Sequence, residues 1–173
     1  MKKHILLFLL ISLTIGIGSA SFAQNAEREF LLDIGIGYGN EIEAPGIKGG
    51  GVYQINEMFR GAANLFYFLP GEDSYGVDFN WLEFNLNGHY LFVNQENTNV
   101  YLLSGLNFTK LSADENIRLP SGDSTDKVYV GLNIGAGADF SLGSINAFVE
   151  GKYALSSAHQ LVMSAGLRIP IGN

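Results

Sequence analysis

The sequence predicts an all-β fold: an eight-stranded antiparallel up-and-down transmembrane β-barrel with a polar interior filled by side chains. Three observations carry that expectation. First, Leu82-Glu83-Phe84-Asn85-Leu86-Asn87-Gly88-His89-Tyr90 alternates apolar and polar residues without an error, so as a strand it has one greasy and one polar face. Second, the split recurs in the other segments, and nearly every charge within them is in phase with the polar set. Third, a short hydrophobic leader precedes them all.

The leader is a positive Lys2-Lys3 pair, an apolar run from Ile5 to Ile17, and small residues at Ser21-Phe22-Ala23. That is the pattern of a secretory signal peptide over residues 1–23, which leaves 24–173 as the barrel domain. Without Lys2 and Lys3, 8 basic residues face 17 acidic ones, a net charge of −9. No basic stripe remains to neutralise phosphates, so a nucleic-acid partner is not expected. The absence of cysteine excludes disulfides, thiol catalysis, thiolate metal sites and a lipoprotein anchor. No later run approaches the roughly 20 apolar residues of a spanning helix. A mature chain that crosses a membrane therefore crosses it as strands.

Aromatic and β-branched residues fill the segments between turn signals. They place strands at about 29–39, 46–55, 60–69, 79–92, 99–110, 127–140, 145–155 and 160–171. Each is near or above the roughly 9–11 residues that cross a bilayer at a tilt, and an even number can close without edges. Pro45, Pro70 and Pro120 fall in the expected loops. Connections after odd strands (40–45, 70–78, 111–126, 156–159) are mostly longer than those after even strands (56–59, 93–98, 141–144). Outer-membrane barrels show this alternation, with short periplasmic turns and longer outer loops. Two connections fit it poorly: 93–98 is long for a turn and 156–159 short for an outer loop.

The apolar phase would face lipid: Phe30, Leu32, Ile34 and Ile36 in the first strand, Leu82, Phe84 and Leu86 in the fourth, and their counterparts in the sixth and eighth. Phe66, Phe68, Tyr101 and Leu103, in the less regular third and fifth strands, are assigned inward. On the apolar face only Lys110 carries charge, at a strand end where it can snorkel to headgroups. Aromatic residues fall at both ends of this face: Phe30, Tyr53, Tyr90, Phe92 and Phe140 at the turn ends, and Tyr38, Tyr67, Phe108 and Tyr153 at the loop ends. This is the double girdle of a membrane barrel.

The polar phase holds Asp33, Lys48, Glu83, His89, Asp139, Glu150, Lys152 and Arg168. An eight-stranded interior is just wide enough for side chains to fill, so these are expected to pair in a lumen network rather than line a pore. His89 is expected to be a satisfied interior histidine; no second histidine stands at ligand spacing, and no metal site is assigned. Gly35-x-Gly37-x-Gly39 and Gly135-x-Gly137 lie in strand patterns and open no helix, so they are not phosphate loops. They, with Gly49-Gly50-Gly51, are expected to make room for large lumen side chains. Ser156, Ser157 and His159, with Glu150 nearby, suggest nucleophile, base and acid, but no Gly-x-Ser-x-Gly context surrounds them. No catalytic residue and no cofactor is assigned, and the chain is not expected to be an enzyme. Asp114, Glu115, Asp123 and Asp126 make the third outer loop acidic, a solvated loop that could weakly hold divalent cations bridging lipid headgroups.

The chain resembles the small eight-stranded outer-membrane β-barrel proteins of the outer-membrane protein X and outer-membrane protein A barrel type. The resemblance spans the mature chain. It rests on the architecture and on the closing strand Leu161-Val162-Met163-Ser164-Ala165-Gly166-Leu167-Arg168-Ile169-Pro170-Ile171; Ile171-Gly172-Asn173 stands where members often carry a terminal aromatic. It implies residence in a Gram-negative outer membrane, insertion by the barrel-assembly machinery, contact with membrane lipid and lipopolysaccharide, and a monomeric state. The expected role is structural or surface-interacting. A lipid-modifying Ser/His enzyme and a soluble periplasmic lipocalin-like barrel are the alternatives. A lipocalin inverts the pattern, with the apolar residues lining a cavity.

Overall fold

The computed structural model describes residues 29–69, 79–113 and 127–171. Residues 1–23, expected from the sequence to be a signal peptide, the acidic residues Asp114, Glu115, Asp123 and Asp126, and Pro70 and Pro120 lie outside these segments. Eight strands follow one another: β1 (Phe30–Gly39), β2 (Ala44–Gln54), β3 (Phe59–Phe68), β4 (Phe79–Gln95), β5 (Thr98–Ala113), β6 (Lys127–Ser141), β7 (Asn146–Leu155) and β8 (Gln160–Ile171). Each pairs antiparallel with its sequence neighbours, and β1 pairs with β8 to close a barrel. Closure satisfies every strand with a hydrogen-bonded neighbour on both sides. Lipid makes that a requirement, since it offers no partner to a bare sheet edge.

Two expectations about boundaries are corrected. The segment 93–98 is not a long connection. β4 runs to Gln95, β5 starts at Thr98, and Glu96-Asn97 alone make the turn. The register shifts between Leu91 and Val93, so Phe92 is an extra residue in β4. Such a bulge absorbs one residue without ending the ladder, and the polar run Asn94-Gln95 stays in strand hydrogen bonding with Asn99 and Thr98. Pro45 lies in β2, not in a loop. It is the second residue of that strand, where a missing N–H is tolerated, and its carbonyl accepts from Leu69 N at 2.8 Å.

The side-chain period of two then sorts the residues. Ile36, Val128 and Val130 point outward with 68, 66 and 63 % of their surface exposed. Asp33, Glu83, Asn85 and Arg168 point inward with 1 % or less. The apolar face is the outside of the barrel, so the inverted, lipocalin-like arrangement is not this one. Phe66, Phe68, Tyr101 and Leu103 are buried inside. Glycines make room for them: a Cβ on Gly137 would collide with the Tyr101 hydroxyl, and one on Gly37 with the Phe66 ring.

At the end carrying the 40–43 and 156–159 connections, Phe66, Phe68, Trp81, Ala158 and Val162 pack into an apolar plug, backed by Ile42, Leu111 and Tyr129. Phe66 and Phe68 stack at 4.5 Å, and Trp81 meets Phe68 edge-on at 6.3 Å. The opposite end holds smaller clusters, Leu31-Val52-Ala62 and Leu91-Tyr101-Leu103. Between them the lumen is polar.

Candidate functional site

The lumen is built by one parity of each strand. β4 contributes Trp81, Glu83, Asn85, Asn87 and His89 in succession, and the other strands bring their partners to it. Among the described residues the buried charges balance: Asp33, Glu83, Asp139 and Glu150 face Lys48, Arg60, Lys152 and Arg168. Isolated, each would cost several kcal/mol to bury; paired and hydrogen-bonded, the cost is offset.

The network has two parts. Towards the short turns, Arg168 is the hub. Its guanidinium bonds Asp139 and approaches Glu150 at 3.3 Å and Asp33 at 3.6 Å. It also donates to the Tyr101 hydroxyl at 3.0 Å and lies over the Phe148 ring at 4.6 Å. Arg60 holds the other Asp139 oxygen. Lys48 bridges Asp33 at 3.2 Å and Glu150 at 3.1 Å, and Tyr101 donates to Glu150 at 2.9 Å. The Asp33–Arg168 contact lies across the β1–β8 seam, where the two residues are register partners. Charge pairing and barrel closure thus use the same residues.

Towards the plug, Lys152 donates to Glu83 at 2.5 Å and to Asn85 Oδ1 at 2.7 Å. Glu83 also accepts from Trp81 Nε1 at 3.1 Å and from Gln160 Nε2 at 3.2 Å. Asn85 Oδ1 accepts further from Asn107 and Asn133, each at 2.9 Å, and its amide donates to Asn64 at 3.1 Å. This amide ladder crosses four strands in mid-lumen.

Each of the eight inward residues selected from the sequence is buried, and seven of them enter these ion pairs. His89 differs from its expectation. Neither of its ring nitrogens has a hydrogen-bond partner; its ring instead stacks on Tyr101 at 4.5 Å, nearly parallel. Sequence reasoning missed Arg60, Tyr101, Gln160 and Asn107 as network members. For Arg60 and Gln160 the signal was present: Arg60 shares the parity of Asn64, and Gln160 that of Arg168.

The girdle residues all lie on the outer surface. Phe30, Tyr53, Tyr90, Phe92 and Phe140 ring the turn end and are exposed, while at the other end Tyr38 and Tyr153 are exposed and Tyr67 and Phe108 half-buried. Phe108 packs with Phe84 at 6.1 Å, and Tyr67 donates to Asn80 at 3.1 Å. Lys110 is exposed at the loop end of β5, as its phase required.

The Ser156-Ser157-His159 group does not gather an acid from β7. Glu150 is committed to Lys48, Arg168 and Tyr101 inside the barrel. His159 stands at the surface and faces Glu41 at 3.4 Å, which ties the 156–159 connection to the 40–43 turn. Among the described residues no group of three His, Cys, Asp or Glu could hold a metal ion, and no helix is long and apolar enough to cross a membrane.

No protein-family profile matches the sequence, and no curated protein matches it. Solved structures do. The attachment invasion locus protein Ail of Yersinia pestis, crystallised with the heparin analogue sucrose octasulfate, superposes with a TM-score of 0.62 at 16 % identity, covering 84 % of this chain and 99 % of Ail. The N-terminal β-barrel domain of Pseudomonas aeruginosa OprF gives 0.64 at 15 % identity, covering 83 % and 97 %. Neisserial surface protein A gives 0.61 at 17 % identity, covering 82 % and 96 %. With this closed eight-stranded topology, apolar exterior and charged interior, the chain has the fold of the small eight-stranded outer-membrane β-barrels.

Proposed function

We propose that the protein is an integral outer-membrane β-barrel, exported through the signal peptide at residues 1–23, with a structural or surface-interaction role and no open pore. One observation carries the reading: an apolar belt between two aromatic girdles surrounds a charge-balanced lumen packed with side chains. Lipid suits the outside, and the plug and ion pairs leave the inside to the protein itself. In this reading the short turns face the periplasm and the longer connections face out, the barrel-assembly machinery inserts the chain, and it works as a monomer. The similarity to Ail, also solved in a phospholipid bilayer nanodisc, supports a lipid-embedded, surface-exposed barrel. The outward segment 114–126 carries four acids and one arginine. It suits contact with lipopolysaccharide through divalent cations better than direct binding of a polyanion.

Cell fractionation combined with protease treatment of intact cells tests this. The protein should stay with the outer membrane until detergent is added, and externally added protease should cut within 111–126. Release into a detergent-free periplasmic extract would overturn the membrane reading.

A further inference from the structure

On the outside of the barrel the side chains shrink abruptly at β3. Ala63 stands between Gly51 of β2 and Leu86 of β4, and Gly61 between Tyr53 and Gly88. The result is a groove of about 450 Å³ in the apolar belt, walled by Phe30, Tyr53 and Leu86 and floored by Gly51, Gly61 and Ala63. The Phe30 ring leans over Gly51, where a Cβ would collide with it. Over Gly61 the space is open: a Cβ there would meet only Ile55 Cδ1, at 3.9 Å. Because the floor is backbone held in the sheet ladder, the groove is formed before anything enters it, which spares an occupant part of the ordering cost.

Position and chemistry select the occupant. No residue lining the groove is charged. Phe30 and Tyr53 belong to the aromatic girdle at the turn end, so the groove starts at headgroup level. It reaches Leu86, midway along the outward set of β4. It is continuous with the lipid-facing surface, where an unfilled dent forfeits dispersion contacts along its walls. A second barrel is a poorer match: eight residues line the groove, against roughly 20–30 a side in a stable protein interface.

We propose that this groove seats one acyl chain of a glycerophospholipid from the leaflet at the turn end. The ring walls hold the chain laterally, and Tyr53 stands at the level of its ester and phosphate groups. The site rests on the outer-membrane reading above. A barrel that fractionates with the outer membrane yet keeps no phospholipid fails here alone.

The test is mass spectrometry of the intact barrel, released from detergent micelles that contain phosphatidylethanolamine. The native protein should retain one phospholipid per barrel. Gly61→Leu puts its side chain into the groove without displacing backbone; losing about ten atom contacts should weaken retention by roughly five- to thirtyfold. Ala63→Leu should act in the same direction and carries the test if Gly61→Leu does not fold. Ala165→Leu, which adds bulk to the outer face of β8, should leave retention unchanged. A heat-modifiable gel shift verifies that each variant is folded. Four results would overturn the proposal: no retained phospholipid, equal retention by the folded groove variants, equal loss in Ala165→Leu, or a second copy of the chain retained in place of lipid.

Discussion

Arg168→Met should destabilise the folded barrel by about 3–5 kcal/mol, the usual cost of removing one partner from a buried ion-pair network. Arg168 is fully buried and faces Asp33, Asp139 and Glu150 at once. Methionine keeps much of the packing against Phe148 but leaves three carboxylates with only Lys48 and Arg60 as buried counter-charges nearby. Arg168→Lys should recover part of the loss. It restores the charge, but an ammonium cannot reproduce the guanidinium fork that bonds Asp139 and Tyr101 from separate nitrogens. Urea titration in lipid vesicles measures the difference, followed by the fluorescence of Trp81, the single tryptophan. A loss below about 1 kcal/mol, the range of exposed pairs, would show that the hub is not structural.

The second large effect belongs to the other half of the lumen. Lys152→Met should also cost about 3–5 kcal/mol, because Glu83 would remain buried with only the neutral donors Trp81 and Gln160. Glu83→Gln/Lys152→Met should recover at least half of that. It removes the stranded charge while a side-chain oxygen still accepts from Trp81 and Gln160. The cycle is read from the same urea curves. If the double variant is no more stable than Lys152→Met, the penalty comes from lost packing rather than from an uncompensated charge. The tryptophan emission should shift in both variants, since its indole N–H donates to Glu83.

What the sequence made legible was periodic. Alternation of period two sorted lipid-facing from lumen-facing residues, placed Phe66 and Tyr101 inward against their apolar character, and located Lys110 on the outer surface. Parity would also have found Arg60 and Gln160. Length and partners were harder. Val93-Asn94-Gln95-Glu96-Asn97-Thr98 has the composition of a loop, yet strands that project past the lipid belt can be polar and still hydrogen-bond. The bulge at Phe92 leaves no compositional mark. Nor does alternation say which lumen residues meet. Lys48 and Glu150 lie 102 positions apart, and the tilt and stagger of the closed barrel bring them to one level. His89 shows the same limit. Its inward placement followed from phase, but its stacking on Tyr101 without a hydrogen bond depends on the neighbour that β5 supplies.

The alternation in β4 separates lipid from lumen, and labels along that strand read it directly. Because the chain has no cysteine, single cysteines can be placed from 82 to 90 in otherwise native protein and spin-labelled in vesicles. Power-saturation measurements with oxygen, which partitions into lipid, and with a water-soluble nickel chelate then report each position. Oxygen accessibility should peak at 82, 84, 86 and 90, with the chelate excluded there, and fall at 83, 85 and 87. A profile in which the chelate reaches 82, 84 and 86 would overturn the lipid-facing assignment, since those side chains would then face water.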